Sequence, residues 1–285
     1  MKPTITLIYS ALLAVGGISV SVVAQSSLHP ATPTAIAQNE KQAPKRVVGY
    51  LHGSEPNYLL LLPPYPVLDS PQDAVDVATF RQMQVADGAA RWKLAQEDAQ
   101  MTYARFAEPL SISLDPAKLP IVMHLLSRME RDVLDTAFEA KDYFNRPRPF
   151  QRFAVAHVCG ARTPPQPEAH PTKGPSYPSG HMAFGWGLAL TLAEIVPDDA
   201  QAILVRGREY GESRVVCAVH YPSDVAAGQV IATAVVERLH SVPEFSRDLA
   251  CAQQEYQASI QPNAQISTEC RALEKELTSN ESYTR

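Results

Sequence analysis

Residues Asp115–Pro149 read DPAKLPIVMHLLSRMERDVLDTAFEAKDYFNRPRP. Asp115-Pro116 is a helix-start signal, and Ile121, Leu125, Met129, Val133 and Leu134 recur at helical spacing. The pattern predicts one long helix continuing to about Tyr143. Pro147 and Pro149 must end it, because proline lacks the backbone N–H and its ring clashes with the preceding turn. Arg148 is then pinned between two prolines on an extended exit. So placed, it has little freedom to lose when it grips an anion. Lys141 lies on the last turn of the same helix. A solvated helix end, where cations suit the dipole, is the plainer reading of this piece taken alone.

Outward from this stretch the chain stays helical. Ser70-Pro71 opens a helix to about Gly88, and another is expected over about 89–107. Tyr58–Pro66 reads as an extended surface piece, and Gly160–Tyr177 as a polar, proline-rich loop. Ser179 can cap a helix from near His181 to Ile195. Pro197-Asp198 starts one ending near Gly211, Ser223 caps one over 224–239, and a last helix runs from Val242 to about Ile260. No alternating strand pattern of useful length exists. The expected fold is all-α, a single-domain helical bundle over residues 46–260, followed by a polar tail over 261–285 that Cys270 orders in part.

The chain has 285 residues, 45% apolar, with a net charge of -5. That balance gives no case for a nucleic-acid-binding surface. Lys2, an apolar run from Leu7 to Val23, and small residues at Val22-Val23-Ala24 have the layout of a secretory signal over 1–24; a membrane anchor is the alternative. Residues 25–45 read as a flexible leader. The mature chain should need no stable membrane insertion and should be periplasmic or secreted. Export makes disulfides the default for Cys159, Cys217, Cys251 and Cys270. Three pairings are possible, and Cys159–Cys217 with Cys251–Cys270 is favoured. The alternative is buried free thiols.

Two further stretches carry chemistry. In Pro178-Ser179-Gly180-His181, Ser179 can cap a helix or donate to an oxygen. The Gly180 and His181 N–H groups would face an anion at the helix start. The neighbouring Gly174-Pro175-Ser176-Tyr177-Pro178 ends in proline where a nucleophile elbow needs glycine, so a serine hydrolase has little support. In Ser213–Asp224, Arg214 can hold an anion, His220 can attack or move a proton, and Asp224 can orient His220 through its other ring nitrogen. Each stretch alone also fits a structural role: a capped helix start, or a buried His–Asp hydrogen bond.

Together they resemble the type 2 phosphatidic acid phosphatase and vanadium haloperoxidase superfamily. Lys141 and Arg148-Pro149, then Pro178–His181, then Ser213-Arg214, His220 and Asp224 match its three-part signature. The resemblance spans roughly residues 57–258 and is strongest to the bacterial class A nonspecific acid phosphatases, through Ser176-Tyr177, Leu61–Pro64 and Ala90–Trp92. Met182, Tyr221-Pro222 and Pro175 depart from that subgroup, which bears on substrate preference and not on the chemistry.

The resemblance implies His220 as the nucleophile that forms a phosphohistidine, with Asp224 orienting it. His181 would be the acid and then the base, which suits mildly acidic pH. Lys141, Arg148, Arg214, Ser179 and the Gly180 N–H would hold the phosphate. From the residues alone, either histidine could be the one that attacks. Three cations stand where many phosphatases use a metal, so no metal and no cofactor is expected. The expected partners are small phosphomonoesters, with phosphotransfer to alcohols and a homodimer or higher homo-oligomer left open. The competing readings are a vanadate-dependent haloperoxidase, a lipid phosphatase, and a phosphate-binding protein without turnover. Arg146 reads as structural.

Overall fold

Ile121, Leu125, Met129, Val133 and Ala137 fall every four residues and are all fully buried, forming the inner stripe of α5 (Pro120–Phe144). The computed structural model that shows this describes residues 47–86, 88–110, 114–155, 157–160, 174–261 and 263–279. The signal and leader expected over 1–45 lie outside them, as does most of the proline-rich loop.

The described residues form helices and no strand. Before α5 come α1 (Tyr58–Leu61), α2 (Pro71–Ala86), α3 (Ala89–Glu97) and α4 (Ala104–Leu110). After it come α6 (Pro149–Arg152), α7 (Gly180–Ile195), α8 (Ala200–Val216), α9 (Pro222–Leu239), α10 (Pro243–Ile260) and α11 (Thr268–Ser279). The most enclosed helix is α7, packed among α5, α8 and α9 and buried on most of its faces. Helices α10 and α11 back α5, while α2, α3 and α4 lie against α8. No helix among the described residues is long and apolar enough to cross a membrane.

The bundle packs this tightly because small residues stand at the crossings. Gly228 of α9 is the clearest case. A Cβ there would lie 2.3 Å from the Ser179 carbonyl oxygen and 3.0 Å from Met182 Cβ. Only glycine lets α9 run against the first turn of α7.

Four local expectations change. The helix expected over 89–107 breaks after Glu97, because Asp98 turns inward to a buried ion pair with Arg206 and accepts the Ser213 hydroxyl at 2.6 Å. The helix expected from Asp115 starts five residues later, at Pro120. There Glu255 of α10 accepts the Ile121 and Val122 N–H groups, a cap supplied across the fold. Helix α8 runs past Gly211 to Val216, so Ser213 and Arg214 sit on its last turns and not beyond it. Tyr221, not Ser223, is the N-cap residue of α9. In addition, Tyr58–Leu61 forms one helical turn in place of an extended piece. The tail carries α11, which buries Cys270 and Leu277.

Both favoured disulfides are present, Cys159–Cys217 and Cys251–Cys270. The first enters a small apolar cluster made by Phe80, Ala95, Phe150 and the turn Val215–Val219 with Tyr221. That turn leads directly into His220.

Candidate active site

Three chain segments meet at His220. The first leaves α5 through Asn145, which adopts the left-handed conformation (φ 49°) at the C-cap, a conformation asparagine tolerates better than most residues. The chain then passes Arg146 and Pro147 to an extended Arg148 (φ -75°, ψ 156°), as the flanking prolines dictate. The second segment is the start of α7, where Ser179 Oγ accepts the Met182 N–H as the N-cap. The third is the turn after α8. There the Arg214 carbonyl accepts the N–H groups of both Val219 and His220, and Ala218 takes a positive φ of 59°. The second and third segments are joined directly, because the Ser179 N–H donates to the Asp224 carbonyl at 2.8 Å.

Hydrogen bonding defines the state of His220. Its Nε2 lies 3.3 Å from Arg148 Nη1, and a guanidinium can only donate, so Nε2 is the bare nitrogen. The proton therefore resides on Nδ1, which faces Asp224 Oδ2 at 3.3 Å. The same Oδ2 accepts the Tyr221 N–H at 2.8 Å. His220 is 2% exposed, and burial, followed by the charges of Arg148, Lys141 and Arg214, holds it well below the usual histidine range. Burial raises the Asp224 carboxyl, and Arg146 opposes that shift.

His181 is arranged the other way round. Its Nε2 lies 3.0 Å from the Ala99 carbonyl, which can only accept, so Nε2 carries the proton and Nδ1 is bare. The break after α3 frees that carbonyl, and the adjacent Gln100 carbonyl takes the Tyr210 hydroxyl. Tyr210 stacks beside the His181 ring, with centroids 6.1 Å apart. Burial first, then Arg214, lowers His181 well below the usual range. The mildly acidic protonation expected from sequence therefore needs a further negative charge beside it.

The cations are crowded and buried. Lys141 Nζ donates to the Pro175 and Ser176 carbonyls, each at 3.1 Å. Arg148 donates to the Gly174, Pro175 and Val219 carbonyls. Arg214 Nη1 contacts Cys217 Sγ at 3.4 Å, and its Nε has no hydrogen-bond partner. Burial, then Arg148, lowers Lys141 to about 7. Burial lowers Arg148 and Arg214 to about 10 each. Arg214 also depresses Arg148, and both depress Lys141, so an anion placed among them opposes the shift. The Ser179 hydroxyl accepts at the cap and keeps its proton to donate. The Gly180 and His181 N–H groups stand outside the helix ladder, and Gly180 backs onto Lys141.

All eight residues singled out from sequence thus gather in one region. His124 lies elsewhere, facing Asp248 at 3.6 Å, and His157 packs on Trp92. Sequence reading missed Asp98, which holds Ser213 and Arg206 behind Arg214, and the Ala99 carbonyl. No local pattern marks either.

A profile described as the PAP2 superfamily matches residues 122–247. An acid phosphatase of Zymomonas mobilis subsp. mobilis is 39% identical over 223 residues, covering 77% of this chain and 81% of that protein. A non-specific acid phosphatase of Providencia stuartii is 36% identical, covering 73% and 84%. One of Salmonella typhimurium is 34% identical, covering 70% and 80%. The chain belongs to the acid phosphatases of the PAP2 superfamily. Within this acid phosphatase, the matched region begins on α5 and ends on α10, and so includes all three segments of the site.

Proposed function

We propose that this acid phosphatase is exported, needs no metal, and hydrolyses a broad range of small phosphomonoesters through a phosphohistidine on His220. The observation that carries the reading is what the two ring nitrogens of His220 face: Arg148 on one side and Asp224 on the other. A bare Nε2 shares its surroundings with three cations, while Nδ1–H is directed at a buried carboxylate.

In the first half-reaction the Nε2 lone pair forms a bond to phosphorus and the bond to the leaving oxygen breaks. Asp224 stabilises the positive charge that develops on the ring, while the Nδ1 proton stays on His220. Arg148, Arg214, Lys141, the Ser179 hydroxyl and the Gly180 N–H hold the phosphoryl oxygens. They stabilise charge in the transition state, a task that metal ions perform in many other phosphatases. His181, whose Nε2–H is committed to Ala99, delivers the leaving group's proton from Nδ1. The phosphoester's own negative charge favours that proton by opposing Arg214. In the second half-reaction water attacks phosphorus, His181 Nδ1 takes its proton, and the N–P bond breaks, releasing phosphate and restoring His220.

The lowered pKa of His220 keeps the nucleophile neutral under acidic conditions, as an acid phosphatase requires. Export is supported by the N-terminal signal pattern and by two disulfides, which persist in oxidising compartments. Every group of the cradle is assigned to the phosphoryl oxygens and none to the rest of the ester, which suits broad specificity.

The test is hydrolysis of an aryl phosphate at about pH 5 to 6, near the ordinary histidine range, with excess chelator. Wild type and His220→Ala are compared. Turnover that survives chelator and falls by about 10³-fold or more in the variant supports the reading. Loss of turnover on chelation, or an active variant, overturns it.

A further inference from the structure

We infer that Arg146 is a positioning residue for the nucleophile: it fixes the Asp224 carboxylate as an oriented anion and through it directs His220. The inference rests on the phosphohistidine reading above. Sequence offered Arg146 only as a structural cation two residues from Arg148.

Arg146 is fully buried and faces away from the phosphate cradle. Its Nη1 donates to Asp224 Oδ1 at 2.7 Å and to the Ser223 hydroxyl at 2.8 Å. Its Nη2 donates to Asp76 Oδ2 at 2.8 Å and lies 3.5 Å from Asp73 Oδ1. Arg146 Cζ sits over the Tyr221 ring, 3.9 Å from its centroid. Asp76 closes the frame by accepting both the N–H and the hydroxyl of Ser223.

The division of labour on Asp224 is the central observation. Oδ1 is held by Arg146, whereas Oδ2 takes the Tyr221 N–H and faces His220 Nδ1. A carboxylate bonded at both oxygens cannot rotate. Asp224 is wholly enclosed, so without Arg146 its Oδ1 would lose its charged partner and the carboxylate would be left with only Lys141 and Arg148, across the site, to offset its burial. Two carboxylates on α2, one turn apart, hold Arg146 from the far side. A helix with no atom in the phosphate cradle thereby sets the register of the nucleophile. Removing an orienting partner of a functional group commonly lowers function about 10- to 100-fold.

The test uses Arg146→Lys, Arg146→Met, Asp224→Asn and the Arg146→Lys/Asp224→Asn double variant, with melts to confirm folding. Arg146→Met should lower kcat by about 10- to 100-fold, and Arg146→Lys should recover part of the loss. KM and inhibition by inorganic phosphate should stay within about 2-fold, because Arg146 touches none of the cradle. In the Asp224→Asn background, Arg146→Lys should cost nothing further, since both act on one carboxylate.

A general structural role would instead move KM or add its cost to that of Asp224→Asn, and either result overturns the assignment. Wild-type kcat in a folded Arg146→Met also overturns it. If the Arg146 variants fold poorly, Asp76→Asn keeps the guanidinium while removing one counter-charge. It should lower kcat a few-fold at unchanged KM, and wild-type kcat there overturns the assignment. Wild-type turnover in His220→Ala would instead indict the phosphohistidine reading, a separate result.

Discussion

A single methyl group at Gly228 should both destabilise the bundle and disable the site. The added Cβ would lie 2.3 Å from the Ser179 carbonyl oxygen and 3.2 Å from the Ala183 nitrogen. Carbon and oxygen do not approach below about 3.0 Å, so the start of α7 must retreat from α9 by roughly 0.7 Å or more. The obstructing atoms are backbone and cannot swing aside. Ser179, Gly180 and His181 ride on the moving turn, while Asp224 and His220 stay with α9. Overpacking of this kind costs about 1–3 kcal/mol. Misplacement approaching an ångström costs about 100-fold in rate.

Helix propensity acts in the opposite direction, since Gly→Ala inside a helix gains about 1 kcal/mol when space allows. The sign of the change in Tm therefore decides the matter. Gly228→Ala should melt several degrees lower, at about 2–4 °C per kcal/mol for a domain of this size, and should turn over an aryl phosphate about 100-fold more slowly. A raised Tm with wild-type kcat would refute the close approach of α7 and α9.

Two other outcomes follow from the same structure. Because burial and three cations lower His220, its neutral, attacking form persists as pH falls. The acid limb of kcat/KM, read from a pH profile, should lie well below the ordinary histidine range, and a limb at about 6.5 would contradict the burial of His220. The disulfides should also differ. Cys159–Cys217 spans 58 residues and Cys251–Cys270 spans 19, so replacing each pair with serines should cost about 4 and about 3 kcal/mol respectively. Only the first should also raise KM, since Cys217 touches Arg214; melts and steady-state kinetics distinguish the two.

The sequence made the site's parts readable because their constraints are local. Ser179 before an apolar run announces a cap, and prolines on both sides of Arg148 announce an extended backbone. What it could not announce are partners supplied from far along the chain. Glu255 caps α5 from 134 residues away, which moves the helix start from Asp115 to Pro120. Asp98 breaks a helix whose residues favour continuing, because Arg206, 108 residues on, provides a buried ion pair. Helix α8 outruns its expected end at Gly211 because that glycine is needed for packing, not termination: a Cβ there would meet Met182 Sδ at 2.1 Å. Ser223 looked like a cap and instead serves Asp76 and Arg146.

The bond from His181 Nε2 to the Ala99 carbonyl has a consequence for the order of events. With one ring nitrogen tethered, the other must serve both halves of the proposed cycle. The departing alcohol and the arriving water then take turns at a single berth beside Nδ1. In that proposed cycle, transfer to another alcohol would require no second acceptor site: whichever hydroxyl occupied the vacated berth first would receive the phosphoryl group. Hydrolysis and transfer would then be one reaction with different visitors, and their ratio would be a matter of traffic at that berth.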